Sequence, residues 1–154
     1  MSDEARGRML GALLRIPFQA IVRRIHAELR EEGFADLTPA HFVVFQHLPE
    51  GGARLTDLAD SAQMTKQSMA YLVDFLSTKG YVERIPDAKD ARARLVRLTE
   101  KGREVESIAR RAIAALRAEW AEVLGREQMA AFEATLRALV DVIEGERERP
   151  RGGG

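Results

Sequence analysis

The sequence predicts a mainly α-helical protein with one small β element, and three observations support this class. Apolar residues recur at helical spacing over most of the 154-residue chain. One short stretch, between residues 81 and 98, changes to the alternation that is typical of β strands. A hydrophobic content of 45% is enough for a packed core, and the absence of Cys excludes disulfides, thiolate metal ligands and thiol nucleophiles.

The first predicted helix covers the apolar residues from Leu10 to Leu29 and includes Pro17. Because proline has no backbone N–H, we expect either a kink at Pro17 or a helix that begins near Ile16. A second, short helix should begin at Thr38–Pro39, since threonine can cap a helix and proline fits its first position. Pro49 and the glycines after it should end this helix.

Two further helices are separated by a very short connection. The first covers Leu55–Ala62 and the second begins at Thr65, with only Gln63 and Met64 between them. So short a connection makes the two helices cross steeply and share a small apolar core. The second helix should end at Lys79–Gly80, and its buried face should comprise Met69, Leu72, Val73 and Leu76.

A β hairpin should follow, with strands at Tyr81–Ile85 and Arg94–Leu98. The intervening residues 86–93 are polar and predict a loop that is too long for a tight turn.

Two long helices with broad apolar stripes should close the chain. Thr99 can cap the first of them, which includes Trp120 and ends at Gly125. The second should run from Glu127 to about Glu144. We expect the charged, glycine-terminated segment after Glu144 to fray.

The neutral net charge conceals an uneven distribution. The chain has 24 basic and 24 acidic residues, which argues against a polycation that binds nucleic acid without sequence preference. Residues 61–103, however, contain nine basic and five acidic residues, which leaves 15 and 19 for the rest of the chain. The middle of the chain therefore carries +4 and the remainder −4, and this predicts a localised cationic surface.

This surface includes the start of the helix that follows the short connection. Its polar side chains suit phosphates and base edges in a major groove, and a helix N-terminus favours phosphate: Thr65, Lys66, Gln67, Ser68 and, one turn later, Tyr71. The hairpin adds Lys89, Arg92 and Arg94, which can reach an adjacent minor groove. The alternative is that Thr65–Ser68 only cap a helix and that Arg84 and Arg97 pair with Glu83 or Glu100.

Several segments together form a specific pattern. They are Leu55–Ala59, Met64–Ser68, Leu76–Val82 and Pro86–Gly102. With these segments the chain resembles the winged helix–turn–helix regulators of the MarR family, over roughly residues 8–145. The family's wing pattern, Asp-x-Arg and later Leu-Thr-x-x-Gly, is met by Asp90, Arg92, Leu98, Thr99 and Gly102. Pro17 inside the first helix is a departure from the family pattern.

The resemblance implies a domain organisation and a DNA-binding mode. Residues 36–102 would form the winged helix–turn–helix unit, residues 8–34 and 103–146 the dimerisation helices, and residues 147–154 a flexible tail. The homodimer would bind a pseudo-palindromic operator in duplex DNA, most simply as a repressor. Residues Thr65–Ser68 and Tyr71 would then contact the major groove and Arg92 the minor groove, while Asp90 would brace the wing.

Many proteins of this family hold a small aromatic or anionic effector between the dimer helices and the DNA-binding unit. By this resemblance we expect an effector cleft lined by Arg15, Phe18, Val22, His41 and Phe45. The histidines His26, His41 and His47 lack metal-ligand spacing, so we expect no metal site and no cofactor.

Two alternatives to a DNA-binding regulator differ in class. An interaction module of the same fold without DNA binding is disfavoured, because the helix start retains the polar set at Thr65–Ser68. An enzyme is disfavoured, because the sequence has no nucleophile motif, phosphate-binding glycine loop or paired carboxylates with a base. The sequence has no run of 18 apolar residues that could form a membrane-spanning helix. We therefore expect a cytoplasmic protein.

Overall fold

The computed structural model describes residues 3–148, and the side chains of residues 9–148. This part of the chain contains six helices and one two-stranded antiparallel sheet, which confirms the mainly α class with a β hairpin. In chain order the elements are α1 (Asp3–Glu31), α2 (Pro39–His47), α3 (Leu55–Ser61), α4 (Lys66–Thr78), β1 (Val82–Asp87), β2 (Asp90–Leu98), α5 (Glu100–Leu124) and α6 (Arg126–Glu148).

The chain divides into two compact units, Met1–Ile113 and Ala114–Gly154. The core of the first unit combines the last turns of α1, all of α2–α4, the base of the hairpin and the first turns of α5. The predicted inner face of α4 is confirmed, because all four of its residues are buried. The most buried side chains of this core include Leu29, Leu37, Val44, Leu58, Tyr81, Val82, Val96 and Val105.

Helix α1 runs through Pro17 without interruption. The alternative that the helix begins near Ile16 is therefore wrong. Proline lacks the N–H that would bond to the carbonyl of Leu13, so the helix tolerates one missing hydrogen bond here. The apolar residues around Pro17 are exposed in the single chain: Met9, Leu10, Leu13, Leu14, Ile16 and Phe18.

The ends of α2 and α4 are fixed by local hydrogen bonds. Thr38 precedes α2 as predicted, but its backbone N–H donates to Nδ1 of His41 at 3.0 Å. The Thr65 hydroxyl caps α4 as predicted, accepting the Ser68 N–H at 3.1 Å. At the other end of α4, Gly80 has a φ of 82°, and its N–H donates to the carbonyl of Ser77. These bonds fix the residues at which α4 begins and ends.

The hairpin differs from the prediction at its tip. Its strands are longer than expected and only Ala88–Lys89 connects them, so the predicted long loop at residues 86–93 is wrong. Pairing is regular from Val82–Leu98 to Pro86–Arg94 and then shifts, which leaves residues 91–93 as a bulge. The turn has no Asn-Gly or Asp-Gly signal, so local turn chemistry did not reveal it.

The base of the hairpin is held by the segment that precedes α3. The backbone N–H of Ala53 donates to the Val96 carbonyl at 2.9 Å, and the Val96 N–H donates back at 2.8 Å. Gly52 has a φ of 87°, and a Cβ there would lie 2.7 Å from the Val96 carbonyl oxygen. Glycine is therefore required where this segment approaches β2.

The second unit contains the end of α5 and all of α6. The predicted stop at Gly125 is confirmed, with a φ of 95°. Helix α6 continues to Glu148, so the prediction of a frayed tail from Glu144 is wrong for residues 144–148. Residues 149–154 of that predicted tail lie outside the described residues.

Helices within this second unit are joined by an ion pair and leave one face uncovered. The guanidinium of Arg117 donates to both carboxylate oxygens of Glu133, which holds the pKa of that carboxyl below its usual range. Leu116 and Met129 are buried. The large apolar side chains of α6 that remain exposed are Phe132, Leu139, Val140, Val142 and Ile143.

The buried His41 predicts a pH-dependent stability. Desolvation lowers its pKa from the ordinary 6.5, against the raising effect of Asp36. The unfolded chain then takes up a proton before the folded chain does, so stability should fall as the pH drops below about 6.5. Protonation also puts a hydrogen on Nδ1, opposite the Thr38 N–H. Melting curves from pH 7.5 to 5.0 should show this loss.

The matched variant for this prediction is His41→Gln. Glutamine can accept the same N–H at this helix position and does not titrate, so the pH dependence should become shallower. Equal pH dependence in the wild type and in His41→Gln would contradict the role given to His41.

Candidate nucleic-acid interface

Helix α4 presents one face to the core and the other to solvent. With its inner face packed, the side chains of Lys66, Gln67 and Ser68 are exposed at its first turn. Tyr71, one turn later on the same side, is 77% exposed, which is unusual for a large aromatic residue. The structure thus brings these predicted contact residues to one outward-facing surface on a helix held rigidly by its buried side.

The hydroxyls of Thr65 and Ser68 at this helix start differ in whether their hydrogen is still available for a ligand. The Thr65 hydroxyl donates to Oγ of Ser68 at 2.8 Å and also accepts the Ser68 N–H. Its only hydrogen is therefore used within the cap. The Ser68 hydroxyl keeps its own hydrogen, so it can still donate to a phosphate or base.

The predicted wing residues lie at the tip of the hairpin, and all three are exposed. Lys89 is in the two-residue turn, Arg92 is in the bulge, and Arg94 is the regularly paired residue of β2 nearest the tip. A bulge re-aims the side chains of a strand. The three cations at the tip therefore extend from a turn, a bulge and a paired strand.

Six cations at the start of α4 and in the hairpin fall into two groups. Among the described residues, no ion pair engages Lys66, Lys89, Arg92 or Arg94. By contrast, Arg84 pairs with Asp74 at 2.5 Å and Arg97 pairs with Glu83 at 2.7 Å. The alternative interpretation of Arg97 as a strand-face ion pair is thus confirmed, whereas Arg84 takes Asp74 rather than Glu83 or Glu100.

Two residues that sequence reasoning missed hold the wing tip. Arg54 donates to Oδ2 of Asp87 from Nε at 3.1 Å and from Nη2 at 2.8 Å. The Lys89 N–H donates to Oδ1 of the same carboxylate at 3.0 Å, and both contacts hold the pKa of Asp87 below its usual range. Arg54 and Asp87 are 33 residues apart in different elements, so no local sequence signal links them.

Asp90, the predicted bracing residue, has contacts of the same kind. Its Oδ1 accepts the Arg92 N–H at 3.0 Å, and its Oδ2 lies 4.0 Å from Nη2 of Arg54.

The residues predicted to line an effector cleft have different environments. Arg15 and Phe18 are exposed, and Val22 is half-buried. His41 is buried and stacks on Phe75 at 4.3 Å between ring centroids, while Phe45 packs edge-on against Tyr81 in the core. The effector cleft stays a prediction.

Two cavities in the described part of the chain are lined by residues other than those predicted for the effector cleft. One of about 530 Å³ lies in the first unit, and one of about 280 Å³ lies in the second. The first is lined by Leu48, Glu50, Leu98, Arg103, Glu106 and Arg110, and the second by Arg117, Ala118, Ala121, Glu122, Arg126 and Met129.

The three histidines have different partners. His26 lies near the ring of Phe42, and Nδ1 of His47 is 3.0 Å from Oγ of Ser61. Across residues 3–148, no group of three or more His, Cys, Asp and Glu side chains is arranged to hold a metal ion. None of the helices there has the length and apolar content needed to cross a membrane.

The arrangement of α3, α4 and the hairpin defines a winged helix–turn–helix protein. Residues 35–93 match the model of the MarR family. The chain is 26% identical to the transcriptional regulator Tm0710 from Thermotoga maritima, with 93% and 99% of the two chains covered and a TM-score of 0.63. The winged unit of this chain thus matches MarR-family transcriptional regulators in sequence and in fold.

Two curated relatives and a second structure extend the comparison. The chain is 30% identical to the exopolysaccharide II synthesis transcriptional activator ExpG of Rhizobium meliloti, over 53% of this chain and 42% of that protein. It is 31% identical to the transcriptional activatory protein BadR of Rhodopseudomonas palustris, over 60% and 52%. The matches thus span about half the length of these relatives.

A structure of Streptococcus pneumoniae FabT in complex with DNA has the same fold. It is 19% identical over 90% of this chain and 97% of that one, with a TM-score of 0.72.

Proposed function

We propose that this protein is a dimeric, sequence-specific DNA-binding regulator of transcription. The observation that carries the proposal is the separation of cations in the winged unit. Within the part of the chain that the structure describes, Lys66, Lys89, Arg92 and Arg94 are exposed at the helix start and wing tip and form no ion pair, whereas the neighbouring Arg84 and Arg97 are paired. Cations left unpaired on two adjacent projections suit a polyanion with two grooves.

The two projections would have different tasks on the duplex. The first turn of α4 would enter the major groove, where Gln67 can bond to a base edge and Lys66 to a phosphate. The wing tip would follow the neighbouring minor groove with Arg92. FabT, which shares the fold, has been crystallised with DNA, and this supports the same use of the fold here.

Dimerisation is supported by apolar surface that the single chain leaves open. The N-terminal part of α1 exposes Leu10, Leu13 and Phe18, and α6 exposes Phe132 and Leu139. Exposed apolar patches of this kind mark interaction surfaces. A second copy would cover them and place two recognition helices on half-sites about one helical turn apart.

We propose repression with release by a small aromatic or anionic effector as the mode of action. A small change in the angle between two DNA-binding lobes spoils simultaneous engagement of both half-sites, and the gain from bivalent binding is then lost. ExpG and BadR are named as activators, so the direction of regulation needs its own test. A promoter–reporter fusion, with and without the gene, should show higher expression when the gene is deleted.

The effector prediction is tested by a thermal-shift screen of phenolic acids. We expect a hit that raises the melting temperature and weakens binding to DNA, because a ligand stabilises the state that it prefers. If no compound shifts the wild type, effector release is wrong, and DNA binding stands apart from it.

DNA binding itself is tested by gel shift with the duplex that flanks the gene of this protein. We expect a complex that survives excess scrambled duplex and weakens steeply as salt rises. Equal competition by scrambled and flanking duplex, over all the flanking sequence, would reject sequence-specific regulation. It would favour an interaction module of the same fold.

Replacing Arg92 by alanine should weaken this complex. Loss of one phosphate or minor-groove cation should reduce the salt slope of log affinity by about 1. The measurement is fluorescence anisotropy over a series of salt concentrations. Arg110→Ala is the control, because it removes an equal charge that is paired with Glu106 on α5. Unchanged affinity and slope for Arg92→Ala would contradict the wing assignment.

A further inference from the structure

We propose that Arg54 is a positioning residue for the wing: it draws together the two aspartates that hold the backbone of Lys89 and Arg92, and so sets where these cations meet DNA. This inference rests on the proposed function for its effect on DNA. The contact itself, however, belongs to the free protein and can be measured there.

The two aspartates repeat one arrangement. Asp87 accepts the Lys89 N–H with Oδ1 and two Arg54 donors with Oδ2. Asp90 accepts the Arg92 N–H with Oδ1 and turns Oδ2 to the same guanidinium at 4.0 Å. In each carboxylate, one oxygen therefore accepts the backbone N–H two residues later, and the other oxygen faces Arg54. A single side chain thus links both halves of the wing tip.

Arg54 is itself fixed at the base of the wing. Its neighbour Ala53 exchanges both backbone hydrogen bonds with Val96 in β2. The side chain therefore spans from the anchored base to the tip. The Asp87 side chain is only 10% exposed, so its charge-assisted bonds to Arg54 are sheltered from water and stronger than a surface ion pair.

An alternative is that Arg54, whose side chain is 41% exposed, contacts a phosphate directly. The two possibilities make opposite predictions for Asp87→Asn. This change makes the protein more positive by one charge, and it releases Arg54 from its partner. A direct phosphate contact would then bind DNA more tightly. A positioning contact would be weakened, and so would DNA binding.

The experiment measures affinity for the gene-flanking duplex by anisotropy across a salt series. We expect Asp87→Asn to weaken binding roughly tenfold despite its added positive charge, because a charge-assisted contact is lost. Arg54→Ala should weaken binding to a similar degree, Arg54→Lys less, and the double variant Arg54→Ala/Asp87→Asn no more than either single one. Glu106→Gln is the control with the same charge change, and it should not weaken binding.

Tighter binding by Asp87→Asn, or additive losses in the double variant, would overturn the proposal. A second readout needs no DNA. Amide hydrogen exchange of Lys89 and Arg92 should accelerate several-fold in Arg54→Ala but not in Glu106→Gln. The melting temperature of Arg54→Ala should fall by a few degrees, because the Asp87 carboxylate loses two charge-assisted bonds, but the variant should remain folded.

Unchanged exchange at both amides would also overturn the proposal, whatever the DNA result. If the wild type binds no duplex, the proposed function fails, while the exchange rates still decide whether Arg54 positions the wing tip.

Discussion

Replacing Lys66 and Gln67 together by alanine is expected to lower affinity for the specific duplex on the order of a hundredfold. Gln67 would supply a base-edge contact, and Lys66 a phosphate contact at the first turn of α4. Both side chains are exposed and their helix is held by its buried face, so the variant should fold normally. Anisotropy with the gene-flanking duplex and its scrambled form measures the effect.

The pattern of loss matters as much as its size. Because Gln67 reads a base, binding to the specific duplex should fall more than binding to the scrambled one, and the preference between them should shrink. Lys79→Ala removes an equal charge from the other end of α4, where Lys79 lies over the ring of Phe75. We expect it to bind DNA like the wild type. Equal losses in the two variants would refute the recognition-helix assignment.

Replacing Gly102 by alanine is expected to destabilise the protein by about 3 kcal/mol, at the upper end for overpacking. A Cβ at this position would lie 2.1 Å from the carbonyl oxygen of Tyr81. That oxygen also accepts the N–H of Thr99 at 3.1 Å, so it cannot move without disturbing the start of α5. Thermal unfolding should show a melting temperature lower by roughly 10 °C.

Gly145→Ala is the matched control for this prediction. Gly145 lies within α6, and a Cβ there would meet nothing within 4 Å. Alanine is a better helix former than glycine, so this variant should be stabilised by up to about 1 kcal/mol. Equal melting temperatures for Gly102→Ala and Gly145→Ala would contradict the close approach of residue 102 to the Tyr81 carbonyl.

The helices could be predicted from the sequence because their signals are local. The apolar face of α4, its Thr65 cap and the stop at Gly80 all lie within one short segment. The path of α1 through Pro17 was ambiguous, because the penalty of one lost hydrogen bond does not decide between a kink and a new start. The place of Pro17 in the sequence does not distinguish a continuous helix from a helix that begins after it.

The wing tip shows why the rest of the site was not predictable. Its two-residue turn lacks a turn signal, and it is held by Asp87 and by Arg54, which lies before α3. Contacts between residues so distant in sequence do not appear in the spacing of apolar residues from which helices and strands are predicted. The pairing that separates Arg84 and Arg97 from the unpaired Arg92 and Arg94 is likewise a property of the folded surface.

Footprinting of the gene-flanking DNA with dimethyl sulfate and with hydroxyl radicals tests most directly whether two copies of this winged unit read one duplex. Dimethyl sulfate should find guanine N7 protected in two major-groove segments about one helical turn apart, and hydroxyl radicals should find the sugars of the adjacent minor grooves protected, a protection that disappears in Arg92→Ala. A single protected segment, or protection spread evenly along the DNA without boundaries, would contradict binding by two copies.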